Sequence, residues 1–169
     1  MSELIDDLLT FSKMSRLEVV TGAVNMKELV EKCIHELLQI EKRKDYRITI
    51  QDLPNCKGDA KMLKQVLFNL LSNALKYTSK QSKPQIEVGA IDDLTSNIYY
   101  VKDNGTGFDM KYSNKLFGVF QRLHRHDEFE GTGLGLALAK RIVTKHGGEI
   151  WGEAALNKGA TFYFAIPKK

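Results

Sequence analysis

In the segment QVLFNLLSNALKYTS, residues 65–79, Gln65, Asn69 and Asn73 recur at every fourth position. On an α-helix that spacing stacks them on one face. Leu63, Leu67, Leu70, Leu71 and Ala74 form an apolar face of the same helix, and Lys76 and Tyr77 continue the polar row by one turn. Asparagine is unfavourable in the middle of an otherwise apolar helix, because its amide competes for backbone hydrogen bonds. An amide oxygen is a hard ligand that suits Mg²⁺ when waters and phosphates fill most of the other positions. Taken alone, exposed or back-bonding asparagines explain the pair equally well.

Three further segments combine residue types that could carry chemistry. DNGTGF, residues 103–108, directly follows the strand-like NIYYVK, and its Asp, Gly105 and Gly107 let a backbone turn tightly beside a ligand. A plain Asp-Asn-Gly turn is the simpler explanation of that segment by itself. In GTGLGLALAK, residues 131–140, three glycines at alternate positions open a helix. The free N–H groups and dipole at such a start favour a phosphate. The spacing is not that of the dinucleotide-binding fingerprint, and no Gly-Lys-Ser/Thr closes it as in a P-loop. The catalytic-loop and metal-binding signatures of Ser/Thr/Tyr protein kinases are missing too. In KLFGVFQRLHR, residues 115–125, Phe117 and Phe120 can anchor a lid and Arg122 can reach a phosphate; a hydrophobic turn with a surface Arg is the alternative.

The elements that must carry these groups can be read from periodicity. Residues 2 to about 18 form an amphipathic helix with Leu4, Leu8 and Phe11 on one stripe and Ile5 and Leu9 beside it. It is too short to fold alone and reads as the end of a longer helix. VVTGAVN suits a turn and a short strand. Asn25 caps a second helix bearing Met26, Leu29, Val30, Cys33, Leu37 and Ile40. YRITIQ alternates as a strand, and Pro54 and Gly58 mark a loop. Asp59 caps a third helix running to about Tyr77. Strands are expected near PQIEVGAI and NIYYVKDN, then an irregular stretch from about 104 to 133, a helix from Leu134 to about His146, and strands GEIWGEA and ATFYFAIP around the turn Asn157, Lys158, Gly159. The order predicts an α+β fold, a two-layer α/β sandwich with helices on one face of a mixed sheet. An irregular stretch that long in a compact domain is usually a lid or binding loop.

Bulk properties set the frame. The 169 residues suit one domain, with 43% hydrophobic and 27% charged residues. No run of about 18 apolar residues is present, so no membrane span is expected. Nor is a signal peptide expected, since Met1 is followed at once by an acidic amphipathic segment. The net charge is +4, but Lys and Arg are interleaved with Asp and Glu without an aromatic stripe, which argues against nucleic acid. Cys33 and Cys56 lack metal-ligand spacing. Cys33 falls on an apolar helix position, as a buried free thiol in a reducing compartment would.

In order, NLLSNALKYT, DNGTGF, LFGVFQRLH, GTGLGLALAK and KGATF resemble the motifs of the histidine-kinase branch of the Bergerat-fold ATPases, over about residues 25–169. The resemblance implies a Bergerat fold: a mixed, mostly antiparallel sheet of about five strands, about three helices on one face, and an ATP lid. It implies that ATP and Mg²⁺ bind here, with Asn73 on the metal and Asn69 near the metal and the reacting phosphate. Lys76 would contact phosphate, Tyr77 would lie against the adenine, and Asp103 would accept a hydrogen bond from the adenine amino group. Gly105 and Gly107 would let the backbone approach the nucleotide. Phe120 and the run Gly131, Thr132, Gly133, Leu134, Gly135 would enclose it, and Arg122 would stabilise the γ-phosphate during transfer. Ala160 stands where a hydroxyl residue is frequent in the family. The adjacent Thr161 is assigned to the nucleotide in its place.

The same resemblance divides the chain into residues 1–18, the C-terminal end of a second dimerisation helix, and residues 19–169, the ATP-binding catalytic domain. The family's acceptor histidine lies in a His-Glu-Leu-Arg-x-Pro-like motif. The only similar stretch, His35-Glu36-Leu37, continues with Leu38, has no following Pro, and lies in the catalytic domain's own first helix. The expectation is a cytoplasmic protein-histidine kinase domain, monomeric as this chain and homodimeric in its parent, with no membrane contact. It would serve a histidine on a helix outside this chain and, through it, a response-regulator receiver domain. FQRLHRHDEFEGTG is also similar to phytochrome-like sensor kinases. Other readings are a same-fold hydrolase (chaperone, topoisomerase or mismatch-repair ATPase), a protein-serine kinase of the anti-sigma-factor type, or a non-catalytic nucleotide-binding module. The hydrolases typically carry a Glu at the place of Asn69 to activate water, and Asn69 has no such base.

Overall fold

A computed structural model describes residues 3–119 and 133–168. Helix α1 (Glu3–Arg16) is followed by β1 (Gly22–Val24), α2 (Met26–Ile40), β2 (Arg47–Ile50), β3 (Cys56–Gly58) and α3 (Ala60–Thr78). Then come β4 (Gln85–Asp92), β5 (Ser96–Asp103), a 3₁₀ turn over Met110–Lys115, α4 (Gly135–Lys145), β6 (Glu149–Ala154) and β7 (Ala160–Pro167). A five-stranded sheet has the order β2-β4-β5-β7-β6, and β1 and β3 form a separate two-stranded ribbon. Only the β2–β4 pair of the large sheet is parallel.

The two caps expected from sequence are in place. Asn25 accepts from the Glu28 N–H, and Asp59 accepts from the Lys61 and Met62 N–H groups. Each satisfies donors that a helix start leaves unpaired. The two-residue period of ATFYFAIP sends Ala160, Phe162, Phe164 and Ile166 to the helix-covered face of the sheet. There they meet Val88, Tyr99 and Val101 of the neighbouring strands and the apolar faces of α3 and α4. Leu63, Leu67, Leu70, Leu71 and Ala74 are all buried, so α3 is the central helix of the layer, between α2 and α4. The expected two-layer α/β sandwich with a mixed, mostly antiparallel sheet is the observed fold.

Two local expectations change. The stretch around Pro54 and Gly58, expected as a loop, contains β3, which pairs antiparallel with β1 from Gly22↔Gly58 to Val24↔Cys56. A three-residue strand shows no alternation long enough to read. The irregular stretch after Asp103 contains the 3₁₀ turn over Met110–Lys115, capped by Asp109. The chain just beyond it is seated on the core: Leu116 is buried and Phe117 meets Phe162 edge-on at 6.4 Å between ring centres.

The other sheet face carries Gly89, Tyr100, Tyr163 and Trp151 side by side across β4, β5, β7 and β6. Trp151 stacks on Tyr163 at 5.3 Å and 10°. Both cysteines are buried free thiols, as expected for Cys33. Among the described residues no helix is long and apolar enough to cross a membrane.

Candidate nucleotide site

Asp103 is the last residue of β5, and strand alternation turns its side chain to the helix-covered face with Tyr99 and Val101. It is 6% exposed. Its Oδ1 accepts from the Gly105 N–H at 2.8 Å. Burial raises its carboxyl from the ordinary 3.8 to about 6, with backbone hydrogen bonds from Gly105 and Ala160 pulling the other way. A buried carboxylate with few neighbours is a strong acceptor aimed at whatever fills the space beside it.

The backbone around Asp103 is drawn tight. The Thr106 N–H donates to the Tyr77 carbonyl at 3.3 Å, tying the turn after β5 to the last turn of α3. Gly105 sits against that carbonyl: a Cβ there would lie 2.3 Å from the Tyr77 oxygen. Gly107 has φ +64°, and a Cβ on it would lie 2.1 Å from the Ala155 carbonyl. Asn157, itself at φ 61°, donates its N–H to the Thr106 carbonyl at 2.7 Å. The β6–β7 turn therefore closes the far side of the Asp103 loop, a contact that no local sequence signal announced.

On α3 the expected polar row is real. Gln65, Asn69, Asn73, Lys76 and Tyr77 are all half-buried. The Gln65 amide donates to Asn69 Oδ1 at 3.3 Å, and Asn69 Nδ2 donates to the Gly135 carbonyl at 3.0 Å. The amide of Asn69 thus joins α3 to the first residue of α4. Lys76 Nζ stands 5.8 Å from the centre of the Tyr77 ring. Asn73 lies one turn beyond Asn69, about 6 Å along the helix.

The Gly-rich segment opens α4 as expected. Gly133 has φ +80°, Leu134 is buried, and Gly135 begins the helix with no side chain capping it. The first N–H groups of α4 are therefore available to a phosphate rather than to a cap. Two pairings hold the site's parts: Tyr77, Gly105 and Asp103 at one, Asn69 and Gly135 at the other. Phe120, Arg122, Gly131 and Thr132 lie outside the described residues.

Thr161 stands apart from them in the sheet. In register, Asp103 faces Ala160, whereas Thr161 pairs with Lys102 and Glu153. The alternation of β7 puts Thr161 on the open face of the sheet, the side opposite Asp103. The period-two burial of Phe162, Phe164 and Ile166 already carried that information.

Comparison with known proteins agrees with this geometry. Residues 58–169 match the family described as histidine kinase-, DNA gyrase B-, and HSP90-like ATPase. Over 167 residues the chain is 39% identical to cyanobacterial phytochrome A of Nostoc sp. (strain PCC 7120), covering 99% of this chain and 22% of that protein. The chain therefore spans about a fifth of that relative's length. Full-length ShkA, solved in complex with AMPPNP, superposes with a TM-score of 0.81 at 25% identity, over 97% of this chain and 35% of that one. Histidine kinase ThkA, solved in complex with the response regulator protein TrrA, gives a TM-score of 0.74 at 25% identity, over 98% of this chain and 46% of that one. With that match covering residues 58–169, more than half of its length, the chain belongs to the histidine kinase-, DNA gyrase B-, and HSP90-like ATPases.

Proposed function

We propose that this chain is the catalytic domain of a two-component sensor histidine kinase. It binds ATP and donates the γ-phosphate to a histidine on a dimerisation helix outside this chain, for relay to a response-regulator aspartate. The observation that carries the choice of transfer over hydrolysis is the Asn69 amide, hydrogen-bonded between Gln65 and Gly135. An amide has no basicity with which to take a proton from water, so the attacking nucleophile must come with an unprotonated attacking atom. An imidazole does so: its nitrogen bonds to the γ-phosphorus as the bond to the bridging oxygen breaks and ADP leaves.

Asp103 would accept from the exocyclic amino group of adenine. Guanine presents a carbonyl there, which would leave two acceptors facing each other in a buried site. Gly105 and Gly107 keep the turn flat beside the base, Tyr77 flanks it, and Lys76 and the open N-terminus of α4 at Gly133–Gly135 take the phosphates. By the family resemblance Leu134, Phe120, Gly131 and Thr132 would enclose the nucleotide and Arg122 would stabilise the phosphoryl group in transfer.

The donor set also fits a magnesium ion. Among the described residues no cluster of His, Cys, Asp and Glu makes an all-protein cage. Asn73 and Asn69 offer neutral amide oxygens on one helix face, and phosphates and water supply the rest of an octahedron. Bound there, the ion would neutralise phosphate charge; Asn73 would hold it and Asn69 would orient it.

Residues 1–18 are read as the end of the second dimerisation helix and 19–169 as the catalytic domain. In support, α1 buries none of its residues, and Leu4, Ile5, Leu8 and Leu9 are exposed along it. The chain by itself would then be monomeric, its parent a homodimer, and the domain cytoplasmic. ThkA, crystallised with a response regulator, supports a receiver domain as the downstream partner.

Calorimetry with a non-hydrolysable ATP analogue and Mg²⁺ tests the reading, followed by a phosphohistidine assay on an added helix pair bearing the acceptor. Micromolar binding, GTP weaker by about 100-fold and acid-labile phosphate on the added helix are expected. Phosphoserine on a partner protein, or hydrolysis without transfer, would overturn it in favour of a serine kinase or an ATPase.

A further inference from the structure

Helices α3 and α4 are linked at both ends. Near the nucleotide site the link is Asn69 to Gly135. At the other end it is Asp59 to His146: the Asp59 N–H donates to His146 Nε2 at 3.0 Å. The ring's Nδ1 lies 2.9 Å from the Ile142 carbonyl and donates to it. Accepting at one nitrogen and donating at the other defines a neutral imidazole protonated on Nδ1. The ring is closely seated, since a Cβ on Gly58 would come within 3.0 Å of it.

The segment after α1 hangs on the same corner. Asp59 spends Oδ1 on the cap of α3, accepting from Lys61 and Met62, and Oδ2 on the Val20 N–H at 3.0 Å. From α4, Lys145 Nζ donates to the Leu17 carbonyl at 2.9 Å, and Arg141 Nε reaches Ser15 Oγ at 3.4 Å. Val20 is 77% exposed, so packing does not hold it there. Asp59 is therefore bonded to α3, to α4 through His146, and to the chain arriving from α1.

We propose that Asp59 and His146 are positioning residues forming a joint that couples α1 to the nucleotide site. Asn69 lies ten residues beyond Asp59, about 15 Å along α3. Gly135 is a similar distance from His146 along the antiparallel α4. A pull on residues 17–20 loads Asp59 directly and α4 through Lys145. With the far ends of the helices fastened at Asp59–His146, the load reaches the Asn69–Gly135 bond as a pivot of one helix against the other about that fastening. Coupling of this kind is reciprocal, so nucleotide at one end must change the stability of residues 15–20 at the other. The inference rests on the reading that the site binds ATP.

The test is amide hydrogen exchange on the whole chain, with and without the ATP analogue and Mg²⁺. Nucleotide should slow exchange at residues 69–77 and 103–107 and also, by roughly fivefold or more, at residues 15–20. His146→Phe, which removes the acceptor, should abolish the distant effect and keep the local one. His146→Gln, which returns an acceptor oxygen near Nε2, should restore it. Val20→Pro, which deletes the donor to Asp59 in an extended, exposed segment, should act like His146→Phe, and Val20→Ala like the wild type. Protection at the site without any change at residues 15–20, or an undiminished distant effect in His146→Phe, overturns the joint. No protection at 69–77 or 103–107 overturns the ATP reading itself, and the joint with it.

Discussion

Asn69 and Gly135 are 66 positions apart in sequence, yet one amide hydrogen bond of 3.0 Å joins the middle of α3 to the first residue of α4. The residue expected beside the reacting phosphate is thus also the one that sets where the phosphate-facing helix begins. Asn69→Ala should remove this link between α3 and α4 and cost about 1 kcal/mol of stability. It should lower phosphoryl transfer by two orders of magnitude or so, because it misplaces the α4 start as well as removing the amide. Urea unfolding alongside single-turnover transfer separates the two losses.

Asp103 links stability to pH. Its folded value of about 6 lies above the ordinary 3.8, so folding takes up a proton between those values. The sign follows: stability is greater below the unfolded value and falls as pH rises through the folded one, by at most about 3 kcal/mol. Asp103→Asn keeps an oxygen for the Gly105 N–H and removes the charge. Its urea midpoint at pH 8 should exceed that of the wild type, while its affinity for the ATP analogue falls at least about tenfold. A variant less stable at pH 8 would show that the carboxylate is better paired than this burial implies.

Gly105 and Gly107 leave no room for a side chain. Gly105→Ala would drive a methyl into the Tyr77 carbonyl, and Gly107→Ala would combine a positive φ with a clash on Ala155. Each should destabilise the domain by about 2 kcal/mol or more. A matching change at Gly22, where a Cβ meets nothing within 4 Å, should cost little by comparison. Thermal unfolding of the three variants checks the order.

The two thiols should be inert in the folded protein. Burial pushes the Cys33 thiol to about 12 and also raises that of Cys56. At pH 8 neither should react with Ellman's reagent within minutes, and both should react at once in urea. Rapid labelling of either under native conditions would mean that α2 or the β1–β3 ribbon opens locally.

Much of this fold was legible because its helices announce both faces. The leucines of α3 gave the core side and Gln65, Asn69 and Asn73 the site side from spacing alone. Asn25 and Asp59 marked helix starts by their chemistry, and Gly133 with Gly135 marked the start of α4. What escaped was non-local. The β1–β3 ribbon is too short to show a period, and its pairing is invisible until the chain folds back. The parallel pairing of β2 with β4 depends on where α3 carries the chain. The Thr161 assignment came from family position, whereas the period of β7 puts its side chain on the open face of the sheet. Asp59 was readable as a cap, but not as the anchor of residue 20 or the partner of residue 146, since each of those contacts spans a long loop of chain.

Strand β7 follows every other element in sequence yet lies inside the sheet, between β5 and the edge strand β6. It also supplies Phe162, Phe164 and Ile166 to the core. Before residues 160–167 are available, β6 has no neighbour and β5 shows an open edge with unsatisfied backbone groups. During synthesis the helices and the β4–β5 hairpin can form early, while cooperative closure must wait for this last strand. The half-made domain therefore passes through a stage in which the β5 edge and the core beneath it are open, and the arrival of β7 ends that stage.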